Sequence, residues 1–164
     1  MPTAVRFTYL QSPIGALLLA SSGSRLYSIC FPKSGSPAMP QSGWEEDASE
    51  LREPVRQLHA YFAGELENFD LPLGPEGTPF QQRVWGELCR IPYGETISYG
   101  ELAKRIGNPN ASRAVGLANG SNPIPIIIPC HRVIGSNGKL TGYGGGLPIK
   151  EKLLALEKKQ LRLL

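Results

Sequence analysis

Apolar residues cluster in three short blocks near the N-terminus, VRFTYL (5–10), ALLLA (16–20) and RLYSICF (25–31), separated by SPIG and SSGS. Blocks of this length between turn residues predict a small antiparallel sheet. The segment PKSGSPAMPQSG (32–43) predicts a loop. The period then changes: Val55, Leu58 and Phe62 fall at helical spacing, Pro54 suits a first helical position, and Gly64 marks an end. A linker is predicted at DLPLGPEG (70–77), which places a subdomain boundary after residue 77.

Beyond the boundary the pattern is helical. Thr78-Pro79-Phe80-Gln81 has the form of a capping box, and Phe80, Val84 and Leu88 make an apolar stripe that stops at Pro92-Tyr93-Gly94. Ser98-Tyr99-Gly100-Glu101 reads as a second capping box, opening a short helix through Leu102 and Ile106 to Gly107. After the turn NPN (108–110), ASRAVGLANGS predicts another short helix, and the pair forms a helix-turn-helix candidate. IPIII (124–128) predicts a buried strand or extended segment. A tail helix follows TGYGGGLP, with Leu153, Leu154 and Leu156 as core positions and Glu157 interrupting its apolar side. The expected fold class is therefore α/β of the α+β kind. Residues 1–77 form an antiparallel-sheet subdomain with its linker, and residues 78–164 a mainly helical subdomain.

Length and composition fit this picture. A chain of 164 residues, 41% hydrophobic and 19% charged, is long enough for a core and excludes disorder or a disulfide-stapled miniprotein. Cys30, Cys89 and Cys130 cannot all pair, and no closely spaced Cys/His cluster offers metal ligands, so a reducing, cytoplasmic setting and no metal are expected. No apolar run approaches the roughly 18 residues of a membrane span, and the N-terminus lacks a basic start, so neither export nor membrane anchoring is expected.

Charge is unevenly placed. Residues 1–77 carry five Lys and Arg against nine Asp and Glu, whereas residues 78–164 carry twelve against five. No acid occurs between Glu101 and Glu151, a stretch holding Lys104, Arg105, Arg113, Arg132, Lys139 and Lys150. A surface of one sign is the electrostatic footprint of a nucleic-acid binder. Within it, the second helix of the pair is poor in long side chains. Ala114, Gly116 and Ala118 leave a nearly smooth face from which Arg113 alone projects, suited to close approach to a backbone or minor groove rather than base reading.

Cys130 lies in PIIIPCHRVIG (125–135), stiffened by Pro129 and followed by His131 and Arg132. A positive environment lowers a thiol's pKa from about 8.5, which predicts an activated nucleophile. Neighbouring side chains diverge on a strand or helix, so His131 reaches the sulfur only through a water or an irregular turn. An imidazole that takes a proton needs an acid to balance it, and Glu157 is the candidate. Cys30 and Cys89 are expected to be core thiols. Nucleophile plus imidazole also fits a Cys–His hydrolase.

IPCHRVIG, together with NPNASRAVGLANGSNPIPI and TGYGGGLPIKEKLLALE, closely resembles the O6-alkylguanine-DNA alkyltransferases, also called methylated-DNA–protein-cysteine methyltransferases. The resemblance runs from Thr78 to Glu157, and residues 1–77 match more loosely. It implies single-turnover DNA repair after base flipping: irreversible transfer of the alkyl group of O6-alkylguanine to Cys130, with O4-alkylthymine left open as a second substrate. By position, His131 resembles a water-assisted base and Glu157 its acid, while Asn122 resembles a hinge that ties the recognition helix to the cysteine segment. Arg113 resembles the finger that replaces the flipped base, and Tyr99 the residue that crowds its phosphate. Tyr143 resembles a donor to guanine N3, Gly144 a backbone donor to O6, and the Cys130 and Val133 carbonyls acceptors for the exocyclic amine. Gly144 stands where some relatives have serine. Lys104, Arg105, Ala114 and Gly116 complete the expected DNA-binding set. The implied partner is duplex DNA containing O6-alkylguanine, bound by a monomer without metal or cofactor, with cooperativity on DNA left open. A lesion-binding module lacking alkyl transfer is the other reading, and the presence of Cys130 argues against it.

Overall fold

The computed structural model describes residues 4–140 and 143–162; Thr141 and Gly142 of the TGYGGGLP segment lie outside the described residues. The chain divides into two compact units, residues 1–76 and 77–164. In the first, β1 (Val5–Ser12), β2 (Gly15–Ser22) and β3 (Arg25–Cys30) form an antiparallel meander. Leu17, Leu18, Leu19 and Ala20 on the central strand are all buried, which is why that block is continuously apolar rather than alternating. A fourth strand, β4 (Glu45–Glu46), pairs in parallel with β1 just beyond the segment expected to be a loop. Helix α1 (Arg52–Phe62) starts two residues earlier than its spacing predicts, so Pro54 sits third in the helix, still among the amides that have no intrahelical acceptor. Its buried face is Gln57, Leu58 and Tyr61, with Val55 and Phe62 only half-buried. The Gln57 amide is spent on the chain's return: it donates to the Asp70 carbonyl at 3.0 Å and accepts from the Asp70 amide at 2.9 Å.

The second unit is mainly helical. Helix α2 (Pro79–Leu88) begins at the Thr78 capping box, with both reciprocal bonds made, at 3.1 and 2.9 Å. Gly77, just before it, has no alternative: a Cβ there would lie 2.4 Å from the Trp85 ring. Buried Val84, Trp85 and Leu88 carry α2 into the core, and Trp85 Nε1 donates to the Ala118 carbonyl at 2.8 Å. Strand β5 (Ile97–Ser98) leads into α3 (Tyr99–Arg105), and α4 (Ser112–Gly120) packs against both α2 and α3. The second capping box is half-formed. Ser98 Oγ accepts from the Glu101 amide, but the Glu101 carboxylate turns outward to Arg105. Cys130–Arg132 form one turn of 3₁₀ helix, β6 (Val133–Ile134) pairs in parallel with β5, and α5 (Leu147–Arg162) closes the described chain. The whole is mixed α and β, a small sheet with five helices among the described residues.

Thr78→Ala removes the side chain that satisfies the Gln81 amide. It should cost about 1 kcal/mol and lower the thermal midpoint by about 2–4 °C, measured by calorimetry on both proteins.

Candidate active site

The segment before Cys130 is not a strand. Residues 124–128 coil into a buried turn in which Ile126 adopts φ = 75° and the Ile128 amide donates to the Ile124 carbonyl at 3.0 Å. A β-branched residue in the left-handed region costs about 1–3 kcal/mol and persists only where its surroundings enforce it. Asn122 is the enforcer. Its Nδ2 donates to the Ile128 carbonyl at 2.7 Å and its Oδ1 accepts from the Ile124 amide at 3.0 Å, so one side chain closes the turn at both ends. Pro129 then sits at φ −80°, ψ 64°, the centre of an inverse γ-turn closed by the Cys130 amide on the Ile128 carbonyl at 2.7 Å. Two consecutive bends deliver Cys130 to the 3₁₀ turn, 4% exposed.

His131 and Glu157 meet as the sequence suggests. Both are buried, at 0% and 1% exposure, and His131 Nε2 lies 2.7 Å from Glu157 Oε2. Arg132 is buried beside them. Its Nε and Nη2 reach the two oxygens of Glu157 at 2.9 and 3.1 Å, and its Nη1 donates to the Ile91 carbonyl at 2.7 Å. Burial alone would raise the Glu157 carboxyl, but the hydrogen bonds and charge of His131 and Arg132 bring it down to about 2. Burial also holds His131 below its ordinary value, against the pull of Glu157, so the permanent cation beside the carboxylate is Arg132. An ionised Glu157 can only accept, which places the imidazole proton on Nε2. His131 Nδ1, buried and making no hydrogen bond within the protein, then presents a lone pair.

The expected activation of Cys130 by neighbouring cations is corrected by the geometry. Burial pushes the thiol above its ordinary value; hydrogen bonding by Asn122 and Tyr143 and the charge of Lys150 pull the other way without overcoming it. Arg132, the nearest cation in sequence, spends its charge on Glu157. The cation that does act on the sulfur is Lys150, which the sequence reading left unused. It is fully buried, donates to the Val133 carbonyl at 2.7 Å, and lies 6.0 Å from the ring centroids of both Tyr99 and Tyr143. A signal existed: Lys150 precedes the buried Leu153 and Glu157 by three and seven residues, on one face of α5. Asn119 was also missed. Buried on α4, it donates to the Cys130 carbonyl at 3.4 Å. The Cys130 and Val133 carbonyls therefore each already accept a side-chain donor.

The remaining expected residues divide between surface and interior. Val133 is buried, Tyr143 half-buried, and Gly144 exposed. Tyr99 opens α3, and Gly116 faces it closely enough that a Cβ would touch the ring at 3.8 Å. Arg113 and Ala114 are exposed on α4, and Lys104 and Arg105 on the last turn of α3. Arg113 is not the one long side chain on that helix face, because Leu117 is 73% exposed one turn on. Of the other thiols, Cys89 is exposed and Cys30 half-buried rather than core. Among the described residues no group of three or more His, Cys, Asp and Glu is placed to hold a metal ion, and no helix is long and apolar enough to cross a membrane.

Two family models match in tandem, the 6-O-methylguanine DNA methyltransferase ribonuclease-like domain over residues 5–75 and the DNA binding domain over 79–159. A methylated-DNA–protein-cysteine methyltransferase of Methanosarcina acetivorans is 58% identical over 151 residues, covering 92% of this chain and 97% of that protein. The chain belongs to this methyltransferase family. A protein of the same name from Mycobacterium tuberculosis is 55% identical over 155 residues, 94% of this chain and 93% of its own. The crystal structure of Mycobacterium tuberculosis OGT in complex with DNA superposes with a TM-score of 0.87 at 54% identity, covering 96% of this chain and 94% of that one. The family likeness thus extends over residues 5–75, which look only loosely similar by motif.

Glu157→Ala leaves the buried Arg132 guanidinium without its carboxylate and should destabilise the protein by about 3–5 kcal/mol, read from urea midpoints. The pH dependence has a fixed sign. Both His131 and Glu157 have folded values below their unfolded ones, so the unfolded chain binds more protons as pH falls. Stability should decline below the ordinary His value of 6.5, and further from 4.5 down to about 2. His131→Gln should flatten the upper part of that decline in urea titrations at stepped pH.

Proposed function

We propose that this chain repairs DNA by moving the alkyl group from O6 of guanine onto Cys130 Sγ, once per chain. The observation that carries the reading is the buried Cys130, His131 and Glu157 arrangement, next to an exposed helix of small side chains, in a chain of this family. The thiol is neutral at rest, so the reaction must remove its proton. A water between Cys130 and His131 Nδ1 passes that proton to the imidazole, and the Glu157 carboxylate stabilises the imidazolium that forms. Sγ attacks the alkyl carbon, the C–S bond forms as the C–O bond breaks, and the electron pair stays on the guanine oxygen. The guanine takes up a proton as it leaves, so the net proton transfer is from thiol to base. Tyr143 at N3 and the Gly144 amide at O6 supply donors to that developing charge. The exocyclic amine shares the Cys130 and Val133 carbonyls with Asn119 and Lys150.

An adduct inside a duplex is out of reach, so the nucleotide has to be extruded. Arg113 fills the gap it leaves, Tyr99 crowds its phosphate, and Ala114 and Gly116 let α4 approach the groove closely. Lys104 and Arg105 hold flanking phosphates. The product is a thioether, which no group in the site can hydrolyse; one event therefore ends the chain's activity. Every group the reading invokes belongs to one chain, which supports a monomer as the working unit. All three cysteines are free thiols, which a reducing cytoplasm would maintain.

Duplex DNA carrying a labelled methyl at guanine O6 should label the protein at most once per chain, and Cys130→Ala should take up none while keeping its duplex affinity. Labelled Cys130→Ala protein would contradict the assignment. Arg113→Ala should slow transfer from duplex severely and leave the reaction with free O6-benzylguanine nearly unchanged, because a free base has no stack to leave. Single-turnover rates on both substrates separate a finger from a residue that merely supports the fold, which would slow both.

A further inference from the structure

An open groove of about 370 Å³ lies between α2 and the C-terminal end of α3, away from every group used above except Arg105. Its wall carries Arg83, Arg90 and Arg105, opposed by the single carboxylate of Glu87. On α2 the positions 83, 86 and 87 recur at steps of three and four, so they share one helix face, and Arg90 follows in the turn just past the helix end. The floor of that face is Gly86. A glycine in a helix interior weakens the helix, and packing does not require this one, since an added Cβ would meet no atom within 4 Å. What the missing side chain provides is bare backbone between two arginines.

The charges around the groove are available to an anion. Glu87 is 3.7 Å from Arg90, whose side chain is 77% exposed, and Glu101 is 3.3 Å from Arg105. Surface pairs of this kind are weak, and the guanidinium groups can turn to a stronger acceptor at small cost. Arg83 is better fixed. It donates to the Ile106 carbonyl at the end of α3, which pins its guanidinium to the groove wall with further N–H donors unspent.

We propose that this groove seats a phosphodiester of the DNA backbone, outside the surface that α4 presents to the lesion. Arg83 and Arg90 clasp the phosphate, Gly86 lets it approach the helix, and the contact adds affinity without reading sequence. The inference rests on the DNA-repair reading above.

The test is the salt dependence of affinity for an undamaged duplex, measured for the wild type, Arg90→Gln and Gly86→Asp. Each phosphate contact contributes about 0.9 to the slope of log affinity against log salt. Arg90→Gln should therefore be shallower than wild type by about that amount. Gly86→Asp, whose added Cβ meets no atom within 4 Å, should bind several-fold more weakly at low salt, the difference closing at high salt. Both variants should react with free O6-benzylguanine at the wild-type rate, which also reports that they are folded. A steep wild-type slope shared by both variants would overturn the groove contact alone. A wild-type affinity indifferent to salt would overturn the DNA reading, and this contact with it.

Discussion

The Glu157 carboxylate, buried between Arg132 and His131, is the interaction on which the second unit turns. It joins α5 to the 3₁₀ turn through both residues and also accepts from the Gly94 amide at 3.3 Å, fixing the loop after α2. A buried carboxylate this deep must be paired and hydrogen-bonded or it would take up a proton. Arg132 keeps it ionised, and an ionised Glu157 in turn sets the tautomer of His131. The orientation of the His131 ring therefore follows from the ion pair that Glu157 makes with Arg132.

Burial also decides the resting state of the nucleophile. Lys150, Asn122 and Tyr143 favour the thiolate, yet desolvation outweighs them, as it outweighs the pull of Glu157 on His131. A neutral thiol is poorly reactive toward casual electrophiles. In a protein proposed to act once, that restraint has value, since a spent cysteine is a spent molecule. Reactivity then has to come from the substrate's arrival, which brings its own leaving group to accept a proton.

Features that mark the residue pattern were legible in the sequence, whatever their range, and features that leave the pattern unmarked were not. Thr78 and Gln81 announce the start of α2 because a capping box is complete within four residues. The Cys130, His131 and Glu157 grouping could be read because an acid on an apolar helix face needs a partner. Lys150 interrupts the same face, but its place among Lys104, Arg105, Arg113, Arg132 and Lys139 makes it look like one more cation of a basic stretch. The turn at 124–128 passed for a strand because its closing bonds come from the Asn122 side chain, which no apolar period records. β4 consists of two exposed glutamates, with nothing in them to mark a strand. The thiol's sign was misjudged because adjacency put Arg132 beside Cys130, whereas the fold turns its charge toward Glu157.

Burial keeps Cys130 protonated at neutral pH until substrate binds. Thiolate absorbance titrated against pH, in a Cys30→Ser, Cys89→Ser background without DNA, measures it directly. An apparent pKa above the ordinary thiol value is the predicted result; a thiolate already formed at pH 7 would contradict the account.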